Sequence, residues 1–355
     1  MSTAKILLVG GGGGVQASGG GGGAGGIIYQ ATHTISAQTY AVVIGAGGSS
    51  PAWSAYGTQG GDTTFDSLTA GGGGCGEHGD AGTYQNGRAT NGNGGGGAYN
   101  SSGGTPDGSG YTGGTGVASG EYPGGGGAGA AANGGNAPAN NVGANGGDGV
   151  ADSAVGNLLS ISSMGVDSGG TRYIAGGGAS SCRGSGTAGT GGKGGGGNGV
   201  IGGNGQAGTA NTGGGGGVGG LFTSYSGGAG GTGVAIIAFT TTEFNFTYSG
   251  TYTSGTNGSL TWVAMKTSGN LVLTTASTAY TMLCAVGAFT LTGINANFYR
   301  LRNLVTSVGA FTLTGIDVIM KKGRGFSAAV GVFNLTGINA NFYRLRNLVT
   351  SVGAF

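Results

Sequence analysis

Four short runs of consecutive apolar residues interrupt the first 240 positions of this chain. They lie in Lys5–Val9, Gly26–Tyr29, Tyr40–Ile44 and Val234–Phe239. Each run has the length of a β-strand, and its apolar residues are consecutive rather than alternating, so we expect both faces of each strand to be covered. Glycine follows directly after Val9 and Ile44. The strands are therefore predicted to lead into glycine runs, and the first and last strands to be neighbours.

Glycine dominates the composition, with 96 of 355 residues, and 83 of these lie in residues 1–234. Collagen is excluded because the glycines form runs and proline is scarce. Ordering so many glycines costs backbone entropy that side-chain burial cannot offset, so dense backbone hydrogen bonding is required. We therefore expect a lattice of polyglycine II-like helices with three residues per turn. Non-glycine residues within the runs are then predicted to point outward: Asn91, Asn93, Ala128, Asn133, Asn198 and Val200.

Charge and cysteine content add little chemistry to this picture. Residues 1–234 hold five basic and nine acidic residues, whereas residues 266–355 hold eight basic residues and one acid, Asp317. The three cysteines, Cys75, Cys182 and Cys284, are too far apart for a disulfide framework, which suits a reducing compartment. Residues 1–9 are too short for a signal-peptide core, and no apolar stretch reaches the length of a membrane span.

Residues 241–285 are predicted to form a β connector. They are rich in threonine and aromatic residues, and Ser268–Asn270 is predicted as a hairpin turn between the strands Thr261–Lys266 and Leu271–Thr275.

Residues 286–355 contain a repeat of 22 residues that begins at Val286, Val308, Val330 and Val352, and residues 291–311 are identical to residues 335–355. Each copy predicts a strand with alternating faces, a turn at Gly293 and a second strand over residues 297–305. A single copy cannot bury its apolar face. The copies are expected either to stack as a solenoid within one chain or to share the core of a fibrous trimer, and the small number of copies favours the trimer.

The expected fold class is therefore all-β. A β framework encloses, or is capped by, the glycine-rich lattice over residues 1–240; the connector over residues 241–285 and the short β-repeats over residues 286–355 follow.

The sequence does not indicate an enzyme or a cofactor. One cluster combines metal-ligand residue types, Cys75, Glu77, His78 and Asp80, but it lacks a second ligand pair, and we read it as a loop without metal. Lys193 follows a glycine run but precedes glycine rather than Ser or Thr, which excludes a P-loop. No nucleophile elbow is present either.

Four segments, in order, resemble the glycine-rich domain of bacteriophage tail-fibre and tip-adhesin proteins: Lys5–Gly14, Tyr40–Gly48, Asp62–Gly74 and Gly231–Phe239. The resemblance covers about the first two thirds of the chain. It implies a polyglycine-helix sandwich whose distal loops contact a receptor on the bacterial surface, but it carries over no individual binding residue. The repeated segment Val286–Ile294 also resembles repeats of phage structural proteins.

Tyrosines between the glycine runs are the candidate receptor contacts, because aromatic side chains on rigid loops offer a large area at little entropic cost. The candidates are Tyr84, Tyr99, Tyr111 and Tyr122. The alternative is that these rings pack the lattice against the strands, with their hydroxyls in solvent.

Paired basic residues in each repeat form the candidate anion-binding site: Arg300, Arg302, Lys322, Arg324, Arg344 and Arg346. Alternation places each pair on one strand face, and stacked copies would bring like charges together. A phosphate-bearing bacterial surface polymer could neutralise them; the alternative is a solvated outer face. The near-neutral net charge and the lack of a recognised module argue against nucleic acid.

Two functional hypotheses follow. The first is a non-enzymatic phage virion protein, a tail fibre or adhesin, assembled in the host cytoplasm as a homotrimer. Its partners would be other virion proteins and a bacterial surface polysaccharide or outer-membrane protein, without membrane insertion. The second is a capsid-decorating or filament-forming subunit that binds no receptor.

Overall fold

The structure of the protein is a computed structural model, which describes most of residues 2–276 and seven short strands beyond them. The described residues are 2–17, 19–51, 56–77, 91–106, 108–118, 121–138, 141–182, 184, 186–220, 225–276, 282–284, 289–299, 303–306, 311–321, 325–328, 333–343 and 348–350. The chain divides into two compact units, Met1–Thr275 and Ala276–Phe355.

Nearly all of the regular secondary structure in the first unit is β-strand. Its strands are β1 Ser2–Val9, β2 Ile27–Ile35, β3 Thr39–Val43, β4 Thr63–Phe65, β5 Leu68–Ala70, β6 Val150–Ala151, β7 Val166–Ser168, β8 Thr171–Ile174, β9 Val234–Thr240, β10 Phe244–Tyr248, β11 Tyr252–Asn257, β12 Leu260–Met265 and β13 Gly269–Thr275. A 3-10 helix, Asp152–Val155, and a short α-helix, α1 Leu158–Ser162, lie between β6 and β7. No described helix is long and apolar enough to span a membrane.

Two antiparallel five-stranded sheets form the framework of this unit. The first has the order β11-β12-β9-β1-β2 and the second the order β10-β13-β3-β4-β5. The predicted pairing of the first and last apolar strands is confirmed, since Leu7 of β1 lies opposite Ile236 of β9. Strands β10 to β13 belong to these same sheets, so the compact unit continues to Thr275.

Strands β1 and β9 at the centre of the first sheet are buried on both faces, as their consecutive apolar residues predict, whereas β2 and β11 are partly exposed. From one face, Ile6 and Ile237 pack with Phe65 of the second sheet. From the other, Leu7 packs with Leu158 of α1. A central strand covered on both sides has no solvent-facing positions to carry polar residues.

Two local predictions about the strands are wrong. Strand β3 alternates between buried and exposed residues, with Val43 47% exposed, because one face of its sheet is uncovered. The hairpin predicted at Ser268–Asn270 does not form. Strand β12 pairs with β9 in the first sheet, whereas β13 pairs with β3 and β10 in the second. The turn residues are those of a hairpin, but the chain crosses between sheets there.

Backbone hydrogen bonds join the glycine-rich segments between these strands into one assembly, here called the glycine network: the described residues of 10–26, 44–62, 71–149 and 175–233. Within the segment from Gly10 to Val15, every third N–H donates to the same neighbouring segment, at 2.8–3.1 Å. Gly10 donates to Gly26 and Gly13 to Gly23; Gly11 donates to Gly61 and Gly14 to Thr58; Gly12 donates to Gly231 and Val15 to Gly228. Helices with three residues per turn would give this period. The polyglycine II-like conformation of the segments stays a prediction.

At interior glycine positions of the network, the neighbouring backbone leaves no room for a Cβ. A Cβ at Gly12 would lie 2.1 Å from the carbonyl oxygen of Gly214, and a Cβ at Gly21 would lie 2.1 Å from that of Gly178. Real Cβ atoms essentially never come within 3.0 Å of such atoms. The glycine runs are therefore required by close backbone approach.

The network has two ends. At the strand end, Gly10 follows β1, and its N–H donates to Gly26, which precedes β2. At the opposite end, here called the far end, the N–H of Gly20 donates to the carbonyl of Glu77, and the N–H of Glu77 donates to that of Gly96 (both 3.0 Å).

The second unit contains the repeats as two parallel sheets. One sheet has the order β14-β16-β18-β20 and the other the order β15-β17-β19. The strands are β14 Met282–Cys284, β15 Phe289–Tyr299, β16 Asn303–Thr306, β17 Phe311–Lys321, β18 Gly325–Ala328, β19 Phe333–Tyr343 and β20 Leu348–Thr350. Partners are 22 residues apart, as in Phe289 opposite Phe311, so the copies stack within one chain. The turn predicted at Gly293 is wrong, because β15 continues through it.

Candidate functional site

Two of the predicted contact tyrosines, Tyr99 and Tyr122, lie side by side near the far end of the glycine network. Their ring centroids are 4.5 Å apart and the rings are nearly perpendicular, at 73°. This is the edge-to-face arrangement that aromatic quadrupoles favour. The two residues are 38% and 39% exposed. The pair therefore presents aromatic surface to solvent while each ring limits the motion of the other.

A buried carboxylate supports the Tyr99 side of this pair. Glu77 is 4% exposed, and its Oε2 accepts the backbone N–H of Ala98, the residue before Tyr99, at 3.0 Å. The N–H of Ser101 donates to the carbonyl of Ala98, also at 3.0 Å. Both backbone groups of Ala98 are thus engaged, and the chain direction leading into Tyr99 is fixed. The other oxygen of Glu77, Oε1, is buried and has no hydrogen-bond partner among the described residues.

The backbone at Tyr122 adopts a conformation that bulky residues seldom occupy, with φ at 50°. The next residue, Pro123, accepts the N–H of Val117 through its carbonyl at 3.0 Å. The carboxylate of the preceding residue, Glu121, lies close to Gly184: a Cβ built on Gly184 would lie 2.7 Å from Oε2 of Glu121. Backbone strain of this kind persists only where surrounding contacts hold it, and it is concentrated at functional sites.

The other two candidate tyrosines do not join this pair in the described structure. Tyr111 lies on the side of the network, where Asn93 and Gly94 bind its backbone, and it is 37% exposed. Tyr84 lies outside the described residues.

A recurrent pattern, here called the Asx clamp, closes the sides of the glycine network. The side-chain Oδ1 of an Asn or Asp accepts the backbone N–H of a residue on a neighbouring segment. The N–H of the residue after the Asx donates to the carbonyl of that same neighbour. The described part of the chain contains six clamps: Asn93 with Tyr111, Asn133 with Thr112, Asn136 with Thr115, Asn145 with Thr190, Asp148 with Lys193, and Asn204 with Ser226.

In each clamp, the Asn or Asp side chain pairs with a backbone N–H of the neighbouring segment, in place of a backbone carbonyl. An unpaired backbone donor away from water is costly, so each clamp stabilises the network. The sequence analysis missed this role, although repeated Asn–Gly and Asp–Gly dipeptides within the glycine runs were its signal.

The prediction that non-glycine residues in the runs point outward is only partly confirmed. Asn133 and Asn198 are exposed. Asn93 and Ala128, however, are buried, at 1% and 0% exposure. Burial of Asn93 is compensated because its Nδ2 donates to the carbonyls of Ala24 and Gly25, at 3.2 and 3.1 Å. The interior therefore holds the methyl group of Ala128 and, at Asn93, a polar side chain whose donors are paired with neighbouring backbone carbonyls.

The remaining candidate sites have little or no described structure. The six basic residues of the repeats, Arg300 to Arg346, lie outside the described residues, so anion binding stays a prediction. His78 and Asp80 of the possible metal cluster also lie outside them. Burial raises the pKa of the Cys75 thiol to about 12, which keeps it protonated at neutral pH. The described part of the chain contains no group of three potential metal ligands.

The fold and the site together define an all-β protein whose sheets carry a hydrogen-bonded glycine network with a tyrosine pair near its far end. The model of the glycine-rich domain family matches residues 1–240, and the chain belongs to this family. Comparison with the curated proteins gave no significant match, and comparison with the solved structures gave none either.

Proposed function

We propose that this protein is a bacteriophage virion component of the tail-fibre or adhesin class that contributes to recognition of the host surface without enzymatic activity. The observation that carries the proposal is the exposed edge-to-face pair of Tyr99 and Tyr122, mounted on a network held by backbone hydrogen bonds. The resemblance of the glycine-rich segments to phage adhesin domains supports it.

The physical argument is one of preorganisation. Association costs side-chain and loop entropy, and a site that is already ordered loses less of it. Tyrosine offers a large amphipathic surface with few rotatable bonds, so paired tyrosines on a fixed backbone are effective contacts. The proposed partner is a bacterial surface polysaccharide or outer-membrane protein. In this proposal the protein assembles in the host cytoplasm with other virion proteins and acts on the virion.

The test is adsorption of fluorescently labelled full-length protein to a panel of bacterial strains. We expect binding to one or a few strains, and a loss of about tenfold or more in affinity for Tyr99→Ala, as for central aromatic contacts of other interfaces. Tyr252→Ala is the matched control, because Tyr252 is 39% exposed and also packs edge-to-face, but lies on β11. Equal adsorption of both variants to a bound strain would refute the role of the tyrosine pair.

The second candidate function is a capsid-decorating or filament-forming subunit. The parallel stack of 22-residue copies favours it, because such ladders can extend beyond one chain. Sedimentation velocity of the full chain separates the two. A closed trimer agrees with the predicted fibre, whereas open-ended polymers together with no strain-dependent adsorption would favour the filament.

A further inference from the structure

Asn–Gly dipeptides are the positions in a protein most open to spontaneous deamidation, because glycine places no side chain in the way of its own backbone nitrogen. This nitrogen attacks the asparagine Cγ. The new N–Cγ bond closes a succinimide ring, the Cγ–Nδ2 bond breaks, and the nitrogen's proton leaves with ammonia. Water then opens the ring to aspartate or isoaspartate. The described chain contains seven such dipeptides, which begin at Asn91, Asn93, Asn133, Asn145, Asn198, Asn204 and Asn257.

Five of the seven are held at both reacting groups by the glycine network. The N–H of each following glycine donates to a carbonyl, as in Gly146 to Thr190 at 3.0 Å and Gly205 to Ser226 at 2.9 Å. Each asparagine Oδ1 also accepts a backbone N–H. The attack requires the glycine nitrogen to lose its proton and the side chain to rotate. Neither can occur until the network opens locally. The five are Asn93, Asn133, Asn145, Asn198 and Asn204.

Asn91 is an intermediate case. Its Oδ1 accepts the N–H and the hydroxyl of Ser109, at 3.3 and 2.6 Å, and the following Gly92 is buried.

Asn257 is in the opposite situation. It ends β11 opposite Leu260, in a turn where the next residue, Gly258, has a φ of 59° that favours glycine. Asn257 and Gly258 are both exposed, and the N–H of Gly258 donates to no described residue. The side-chain amide of Asn257 likewise has no hydrogen-bond partner among the described residues.

We propose that Asn257 is a site of spontaneous deamidation in this protein, and that the glycine network protects its own Asn–Gly dipeptides from the same reaction. The proposal is independent of any receptor. Asp148, whose side chain is exposed, already occupies an Asx clamp with Lys193, so hydrolysis to aspartate would be tolerated in exposed clamps such as those of Asn133 and Asn145, but not at the buried Asn93, whose Nδ2 donates to two carbonyls. Isoaspartate would not be, because it adds a methylene to the backbone and breaks the spacing of the network. At Asn257 the same insertion disturbs only an edge hairpin, since β11 pairs with β12 alone.

The test is peptide mapping by mass spectrometry of the full-length protein, aged in mildly alkaline buffer, beside the same protein unfolded in denaturant. We expect Asn257 to convert in the folded protein at close to its unfolded rate. The five protected asparagines should convert more slowly than in the unfolded chain by about tenfold or more, because they require local opening. The proposal would be overturned if, in the folded protein, the five asparagines converted as fast as in the unfolded chain, or if Asn257 were protected as strongly as they are.

A variant separates the clamp from the fold in general. Thr190→Pro removes the N–H that Asn145 Oδ1 accepts, so conversion should increase at Asn145 while Asn93 serves as the internal reference. Unchanged conversion at Asn145 in a folded Thr190→Pro protein would show that the hydrogen bond to Asn145 Oδ1 is not the protecting element, because the Gly146 N–H can still donate to the carbonyl of residue 190. If this variant does not fold, the comparison of folded and unfolded natural protein still decides the proposal.

Discussion

Substitution of one interior glycine by alanine should disrupt the network far beyond the size of a methyl group. Gly178 is the example, because its N–H donates to Gly22 at 2.8 Å and its carbonyl accepts the N–H of Gly127 at 2.8 Å. A Cβ there would lie 1.9 Å from the carbonyl oxygen of Gly216. The neighbouring segment must therefore move by about 1 Å or more, a displacement large enough to break hydrogen bonds of normal length.

The expected cost of Gly178→Ala is about 3–5 kcal/mol, from overpacking together with one or two buried backbone groups left unpaired. Gly203→Ala is the matched control, because a Cβ there would meet only Val200 Cγ1 among the described residues, at 3.2 Å. Gly203→Ala is expected to change the free energy of unfolding by less than about 1 kcal/mol. Alanine reduces the conformational entropy of the unfolded chain, and this gain offsets the mildly close contact in the folded state.

Hydrogen exchange followed by mass spectrometry is the suitable assay, because a chain with two compact units need not unfold in one step. Peptides that contain Gly22 and Gly127 should exchange faster in Gly178→Ala by about a hundredfold or more, the factor that 3 kcal/mol or more implies. In Gly203→Ala these peptides should be nearly unchanged. Similar exchange in the two variants would refute the argument that close backbone approach requires glycine.

Two further predictions test the clamps and the buried thiol. Asn93→Ala should destabilise the network by about 2 kcal/mol, because it leaves the N–H of Tyr111 and the carbonyl of Gly25 without the partner that the side chain supplies, whereas the Ala24 carbonyl keeps the backbone N–H of residue 93. The exposed Asn198→Ala should cost less than about 1 kcal/mol. Equal shifts in thermal midpoint for the two variants would contradict this. Burial raises the pKa of Cys75 from 9.0 to about 12, so the folded state favours the protonated thiol and loses stability as pH rises from about 9 to about 12. Near pH 10 the natural protein should have lost about 1.4 kcal/mol of unfolding free energy through this thiol, and Cys75→Ala should lack this contribution. If denaturant unfolding of the natural protein and of Cys75→Ala showed the same dependence on pH, the prediction would be wrong.

The strand framework was predictable where apolar residues alone decide burial. Runs such as Lys5–Val9 and Val234–Phe239 contain no polar face, so they had to be central strands, and their pairing followed from their positions at the two ends of the glycine-rich region. The repeat period was equally informative, because a fixed spacing of 22 residues predicts the register between copies directly.

The candidate site was less predictable, because its members are distant along the chain. The sequence named Tyr99, Tyr111 and Tyr122 with equal weight, yet the structure pairs Tyr99 with Tyr122 and places Tyr111 on the side of the network. Glu77 was noticed as a possible metal ligand, whereas its carboxylate holds the backbone beside Tyr99.

Composition alone shows that the glycine-rich region must be held by its backbone, because residues without side chains can be ordered by little else. Which segments pair with one another is known only from the folded chain. Within a run of glycines each position looks like the next, so local sequence gives no sign that Gly11 faces Gly61 and Gly12 faces Gly231. The partners depend on the path of the whole chain, and the same dependence places Asn93 in the interior and Asn133 at the surface.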